Sequence, residues 1–146
     1  MYQLTSFTLA RPCDAAPVDQ PLDSPYFEIV YYAGDLGLVG YKCSSADKTS
    51  CDTSGATLFL DAKPLGDDAY REQQALTTGN LIEGCAVDYY GTDIQKSSAG
   101  VTISYLQTRG STTGQACGGD AIPDATLTQF RDFDCSSVAV REGTRL

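Results

Sequence analysis

The chain has 146 residues, six cysteines and no histidine, and its 19 acidic and 10 basic residues give a formal net charge of −9. This length fits one domain with a core of its own. A surface this acidic disfavours nucleic acid and membranes as partners. The missing histidine removes the usual general base of serine and cysteine hydrolases and the commonest metal ligand. Composition therefore disfavours most hydrolases and metalloenzymes.

Short alternating apolar stretches, separated by Gly, Pro, Asp and Ser, predict antiparallel β structure along most of the chain. Gly34-Asp35 predicts a tight hairpin turn, and Gly37 and Gly40 predict a bulge or a close backbone approach within a strand. The predicted strands are Tyr2–Leu9, Tyr26–Ala33, Leu36–Cys43, Thr57–Asp61, Leu81–Tyr90, Val101–Leu106 and Cys135–Arg141.

Two segments depart from the alternating pattern. Residues 67–76 combine an aspartate pair with good helix formers and are predicted to form a short helix that Gly79 stops. Pro123-Asp124 predicts one helical turn through Thr128, and residues 14–25 are predicted to be a long loop. The fold class that follows is all-β: one domain over residues 1–146, a compact antiparallel β-barrel or barrel-like sandwich with one or two short helical turns.

The even cysteine count predicts three disulfides and hence a secreted, extracellular protein. Cys43 and Cys51 flank a short polar run and can close it with little strain. Cys117 and Cys135 can close a second loop, which leaves Cys13 and Cys85 to pair by elimination. Six cysteines allow fifteen connectivities. No C-x2-C spacing indicates a metal site, so neither a metal nor a cofactor is expected.

Several ordered motifs resemble one known family. Phe27-x-Ile29, Val39-x-Tyr41-x-Cys43-Ser44 and Ala46-Asp47-Lys48 before Cys51 are similar to a stretch of the major allergen of Alternaria and its fungal relatives. The opening Tyr2-Gln3-Leu4-Thr5-Ser6-Phe7, the Cys117-Gly118-Gly119 motif and Asp132-Phe133-Asp134-Cys135 with Val138-Ala139 resemble further parts of that family, in the same order.

The resemblance implies a secreted β-barrel with Cys43–Cys51 and Cys117–Cys135 disulfides. It also implies an allergen or effector that acts on plant defence proteins, contributes to virulence and has no established active site. The expected function is therefore non-enzymatic binding of a host extracellular protein by a monomer or a non-covalent homodimer. Cys85 has no counterpart in the family, and the sequence identifies no partner-binding residue, although Tyr31, Tyr32, Tyr89 and Tyr90 are candidates for an outward face.

Two alternatives remain open. The first is a carrier of small apolar ligands of lipocalin type. Its barrel interior would be lined by Leu4, Phe27, Ile29, Leu58, Leu60 and Ile103. The second and less favoured alternative is a glycosidase that uses paired carboxylates, such as Asp67/Asp68 or Asp132/Asp134.

Overall fold

A closed antiparallel barrel is the main feature of the computed structural model, which describes residues 1–32, 37–55, 57–118 and 122–146. Eight strands form the ring, each beside the next along the chain, and the last pairs back with the first. The short β2 extends one edge of β1. The strands are β1 (Tyr2–Ala10), β2 (Val18–Asp19), β3 (Tyr26–Tyr32), β4 (Gly37–Cys43), β5 (Thr57–Gly66), β6 (Ala69–Asn80), β7 (Gly84–Lys96), β8 (Gly100–Thr112) and β9 (Asp134–Arg145). The predicted all-β barrel is confirmed.

Helical structure is short and lies mostly between β8 and β9. In the described residues it comprises α1 (Asp124–Gln129) and 3-10 turns at Lys48–Ser50, Gly114–Cys117 and Phe130–Asp132. The helical turn predicted after Pro123 is confirmed, since Pro123 immediately precedes α1 and Asp124 lies in its first turn. We call α1 together with Phe130–Asp132 the helical segment.

The helix predicted over residues 67–76 is wrong, because those residues belong to a hairpin. Asp67 and Asp68 have φ angles of 39° and 59° and form the two-residue loop between the paired residues Gly66 and Ala69. Positive φ at both central positions is what a tight type I′ hairpin turn requires. All of β6 then pairs with β7, and this tertiary pairing overrides the helix propensity of the segment.

The other strand predictions hold with shifted boundaries. The strand predicted from Leu81 begins at Gly84, and Leu81 lies in the exposed turn before it. Val18–Asp19 forms a short strand inside the predicted loop 14–25. Gly40 faces Phe59, and the β4–β5 register shifts on both sides of it, so the predicted close approach and bulge are confirmed. The predicted Gly34-Asp35 turn, with Ala33 and Leu36, lies outside the described residues.

Two apolar clusters stabilise the fold. One fills part of the barrel interior and includes Phe27, Leu38, Ile94 and Ile103, all of them almost completely buried. The second lies on the outer face of β7, where Val87 and Tyr89 pack beneath Leu127 and Phe130 of the helical segment. Burying one such side chain contributes about 1.5–3 kcal/mol. The interior is thus filled at one end, and the helical segment covers the outside.

The disulfides are Cys13–Cys135, Cys43–Cys51 and Cys85–Cys117. The Cys43–Cys51 prediction is confirmed, whereas the expected Cys117–Cys135 and Cys13–Cys85 pairings are wrong. Ala10 pairs with Val138, and the same antiparallel register continued by three residues brings Cys13 opposite Cys135. Cys85 pairs with Thr112 across β7 and β8, so the turn that follows β8 returns Cys117 to Cys85.

Candidate functional site

The barrel interior opens at one end into a cavity of about 280 Å³. Residues from β1, β7, β8 and β9 line it, and Arg11 lies at its rim just beyond β1. We call this cavity the barrel mouth. Its lining consists of Phe7, Leu9, Arg11, Tyr90, Gly91, Thr92, Tyr105, Leu106, Gln107, Ser137 and Ala139. Its volume lies close to the lower end of the usual range for small-molecule sites, about 300–1,000 Å³, so it suits a small ligand.

Strand register explains why these residues meet. Leu9 pairs with Ala139, Ala139 with Tyr105, and Tyr105 with Thr92. Side chains of directly paired residues lie on the same face of a sheet. This row therefore runs across four strands on the interior face. A second row, from Ser137 through Gln107 to Tyr90, lies nearer the rim.

A stacked arginine lies beside the mouth. The Arg141 guanidinium carbon is 4.0 Å from the ring centroid of Phe7 and 4.8 Å from that of Tyr105. Cation–π contacts of this kind are strongest where water is excluded. Among the described residues, no carboxylate lies within ion-pair distance of Arg141, and the two aromatic rings are its cation–π partners.

The Tyr105 hydroxyl connects the mouth to the opposite wall by donating to the Leu58 carbonyl oxygen at 3.0 Å. Burial raises the pKa of Tyr105, which the charge of Arg141 and a hydrogen bond from it partly offset. The phenol therefore stays neutral at physiological pH. In this state it can hold the aromatic wall in place and act as a hydrogen-bond donor.

One acidic side chain faces the interior beneath the mouth. Glu72 on β6 is paired with Thr92. Burial raises the pKa of Glu72, against the opposing effect of hydrogen bonds from the Leu60 backbone and the Thr92 side chain, and the nearby Asp61 carboxylate raises it further. A carboxyl with a raised pKa carries less negative charge near neutrality than an exposed one.

A charged cluster holds the helical segment to the outside of the barrel. Asp93 accepts hydrogen bonds from Arg71 Nε at 2.6 Å and from Arg131 Nη2 at 2.7 Å. Arg131 also donates to the Tyr89 hydroxyl at 3.0 Å, and that hydroxyl donates to Gln73 at 3.2 Å. These bonds join β6, β7 and the turn after α1, so they position the cover of the outer cluster.

The residues predicted to line a carrier interior separate into three groups. Leu4, Phe27 and Ile103 are buried in the interior cluster, and Ile29 and Leu58 are partly buried against it. The prediction that Leu60 lines the interior is wrong, because Leu60 is 47% exposed while its neighbour Phe59 is buried. Asp61 has a φ angle of 61°, and this irregular backbone breaks the simple alternation of β5.

The candidate tyrosines and carboxylate pairs lie in different surroundings. Tyr31 and Tyr32 are exposed, whereas Tyr89 is completely buried and Tyr90 lines the mouth. Asp132 and Asp134 are exposed beside the start of β9. Within the described part of the chain there is no group of three or more Cys, Asp or Glu side chains that could hold a metal ion. Nor does this part contain a helix with the length and apolarity of a membrane span.

A second concave surface lies at the tip of the β6–β7 hairpin. It is lined by Gly79, Asn80, Leu81, Ile82, Glu83, Cys117 and Gly118 and encloses about 610 Å³. Leu81 and Ile82 are 55% and 94% exposed. We call this surface the hairpin groove; it is open and lies outside the barrel.

No family model, curated protein or solved structure matches the chain. The resemblance to the Alternaria allergen family therefore stays a prediction.

Sequence reasoning missed Arg11 and Gln107 as residues of the mouth and Arg141 as a residue that stacks beside it. In β9 the apolar residues Val138 and Val140 alternate with Ser137, Ala139 and Arg141, and the pattern favours the valines as interior residues. The opposite face points inward, because Ala139 and Arg141 pair with the interior residues Tyr105 and Ile103. The sequence signal that remained was the arginine that directly follows the apolar run Val138-Ala139-Val140.

Proposed function

We propose that this protein is a secreted, non-catalytic binding protein that holds a small ligand in the barrel mouth. The observation that carries the proposal is the open cavity of about 280 Å³ lined by Phe7, Leu9, Tyr90 and Tyr105, with a few polar groups among them. Concave, largely apolar sites with a few placed polar groups are typical of small-molecule binding. The three disulfides indicate an oxidising, extracellular setting, which suits a carrier outside the cell.

Binding of a neutral apolar fluorophore, N-phenyl-1-naphthylamine, tests this proposal. We expect saturable fluorescence enhancement in the wild-type protein. Ala139→Phe introduces an aromatic side chain into the mouth and should weaken binding at least about tenfold. Val140→Phe is the matched control, because Val140 is the next residue on the same strand and faces outward.

Absence of saturable binding to the folded wild-type protein would contradict the proposal. Equal loss in both phenylalanine variants would also contradict it, since the effect would then not come from the interior face.

A second candidate function is binding of a plant defence protein, which the sequence resemblance implies. The hairpin groove supports it, because Leu81 and Ile82 expose neighbouring apolar side chains at a hairpin tip. Contiguous exposed apolar surface often marks an interaction site. Ile82→Asp should abolish salt-resistant binding to such a protein, while Leu65→Asp, at another exposed leucine, should not. Failure of all tested defence proteins to bind the wild type would exclude this function for the proteins tested.

A further inference from the structure

The charged group that lines the barrel mouth is a cation. Arg11 lies at the rim, is exposed, and forms no ion pair with any of the described residues. Among the described residues, neither aspartate nor glutamate contributes to the lining. In a chain with a net charge of −9, this described lining carries a charge opposite in sign to that of the whole molecule.

The second arginine strengthens this local positive potential. Arg141 stacks between Phe7 and Tyr105, which both line the mouth. Within the described ranges Arg141 forms no ion pair, and Asp23 lines a neighbouring cavity together with Arg141 and Phe7. Because the two rings partly shield the guanidinium from water, its field is screened less than that of an exposed arginine.

Gln107 supplies a hydrogen-bond donor between the rim and the aromatic wall. The Ser137 hydroxyl donates to Gln107 Oε1 at 3.4 Å, which occupies the acceptor side of the amide. The Nε2 group, the donor side, has no partner in the part of the chain that the structure describes. The Arg11 guanidinium and the Gln107 Nε2 group thus supply hydrogen-bond donors at the mouth that could bind an anion.

Two acidic residues of the strands beside the mouth already have hydrogen-bond partners. Asp88 Oδ1 accepts from Arg109 Nε at 2.6 Å. Glu72 lies behind Thr92, accepts hydrogen bonds from Thr92 and Leu60, and has a raised pKa because it is buried. Neither carboxyl lines the cavity, so neither offers a site for a cationic ligand there.

Resting on the function proposed above, we infer that the ligand is an anionic amphiphile. Its apolar or aromatic body packs against Phe7, Leu9, Tyr105 and Ala139. Its carboxylate, sulfonate or similar anionic group lies at the rim, where Arg11 and the Gln107 amide bind it. Arg141 contributes through its field from behind the aromatic wall.

Two fluorophores that share an anilinonaphthalene body test this inference. One is 8-anilinonaphthalene-1-sulfonate, an anion, and the other is N-phenyl-1-naphthylamine, which lacks the sulfonate. We expect the wild-type protein to bind the sulfonate at least about fivefold more tightly, as one favourable charge interaction at a partly exposed site allows. Added salt should reduce this preference.

Substitutions of single arginines identify which charge causes the preference for the sulfonate. Arg11→Gln should weaken sulfonate binding about three- to tenfold and leave binding of the neutral probe within about twofold. Arg141→Gln should also weaken sulfonate binding, whereas Arg141→Lys should retain the preference for the sulfonate over the neutral probe. Arg145→Gln is the matched control, because it removes the same charge from the far end of β9, where Arg145 pairs with Tyr2. Urea unfolding of each variant confirms that it is folded.

The possible results distinguish failure of the proposed ligand-binding function from failure of the proposed anionic ligand class. If neither probe binds, the proposed ligand-binding function fails. If both bind with equal affinity and Arg11→Gln changes neither, the function stands and the anionic ligand class is overturned. Equal weakening by Arg11→Gln and Arg145→Gln would also overturn it, because the effect would then reflect net charge alone. Loss of the sulfonate preference in Arg11→Gln with its retention in Arg145→Gln supports the inference.

Discussion

Glu72 is the residue whose ionisation should oppose folding most directly. Burial raises its pKa above the ordinary value of 4.5. Between 4.5 and the raised value, the folded protein binds more protons than the unfolded chain, so the contribution of Glu72 to stability is fully present below pH 4.5 and is lost as pH rises through its folded pKa. Glu72→Gln should therefore gain stability relative to the wild type as pH rises from 4 to 7.

The measurement is the free energy of unfolding in urea at several pH values. Glu83→Gln, at an exposed glutamate of the β6–β7 turn, measures the effect of removing one negative charge elsewhere. Parallel stability profiles for Glu72→Gln and the wild type would show that the interior carboxyl does not titrate as expected.

Asp93 is the residue on which attachment of the helical segment depends. Its carboxylate accepts from both Arg71 and Arg131, whose side chains are only 19% and 20% exposed. Asp93→Asn would leave two partly buried guanidinium groups without a counter-charge. We expect a loss of about 2–3 kcal/mol in the free energy of unfolding, somewhat less than for a fully buried pair.

Asp88→Asn is the matched control, because its partner Arg109 is 68% exposed. That substitution should cost less than about 1 kcal/mol. Equal losses in the two variants, measured by urea unfolding, would contradict a special role for the Arg71–Asp93–Arg131 cluster.

Among the elements, the β5–β6 hairpin shows where local sequence patterns do not determine secondary structure. The Asp67-Asp68 pair followed by good helix formers fits a helix N-terminus as well as it fits a turn. The choice between them depends on pairing of β6 with β7 along its whole length, which is a long-range contact. In contrast, the local sequence pattern of β1, β3 and β4 agrees with their final extents, and the sequence predicts these strands closely.

A glycine at the turn tests this interpretation of the hairpin. Asp68 has a φ angle of 59°, which glycine adopts without steric cost. Asp68→Gly should therefore stabilise the protein by about 0.5–1 kcal/mol, whereas Asp68→Val should destabilise it by at least about 1 kcal/mol. Asp23→Gly, in the loop before β3, is the control and should not stabilise. Thermal unfolding of the three variants checks the order, and destabilisation by Asp68→Gly would contradict the turn geometry.

For the whole molecule, the disulfides should differ in strength according to the length of chain that each closes. Their sequence separations are 122 for Cys13–Cys135, 32 for Cys85–Cys117 and 8 for Cys43–Cys51. Chain entropy then predicts losses of about 5, 4 and 2.5 kcal/mol when each pair is replaced by serine. Urea unfolding of the three double variants measures this order. A larger loss from the Cys43–Cys51 pair than from the Cys13–Cys135 pair would contradict it.

The barrel class could be predicted from composition and alternation, but the mouth could not. The lining of the mouth depends on which face of β9 points inward and on the register that aligns Leu9, Ala139 and Tyr105. A shift of one residue would exchange the two faces. The same register explains the errors in disulfide pairing, because Cys13 meets Cys135 only when β1 and β9 close the barrel.

The central claim is that the open end of this barrel binds a small ligand. Its most direct test is a titration of isotope-labelled protein with N-phenyl-1-naphthylamine, followed through backbone amide chemical shifts. We expect saturable shifts concentrated at residues 7–11, 90–92, 105–107 and 137–139. Shifts confined to residues 79–83 and 117–118 would place binding in the hairpin groove instead, and either that result or the absence of any shift would contradict the claim.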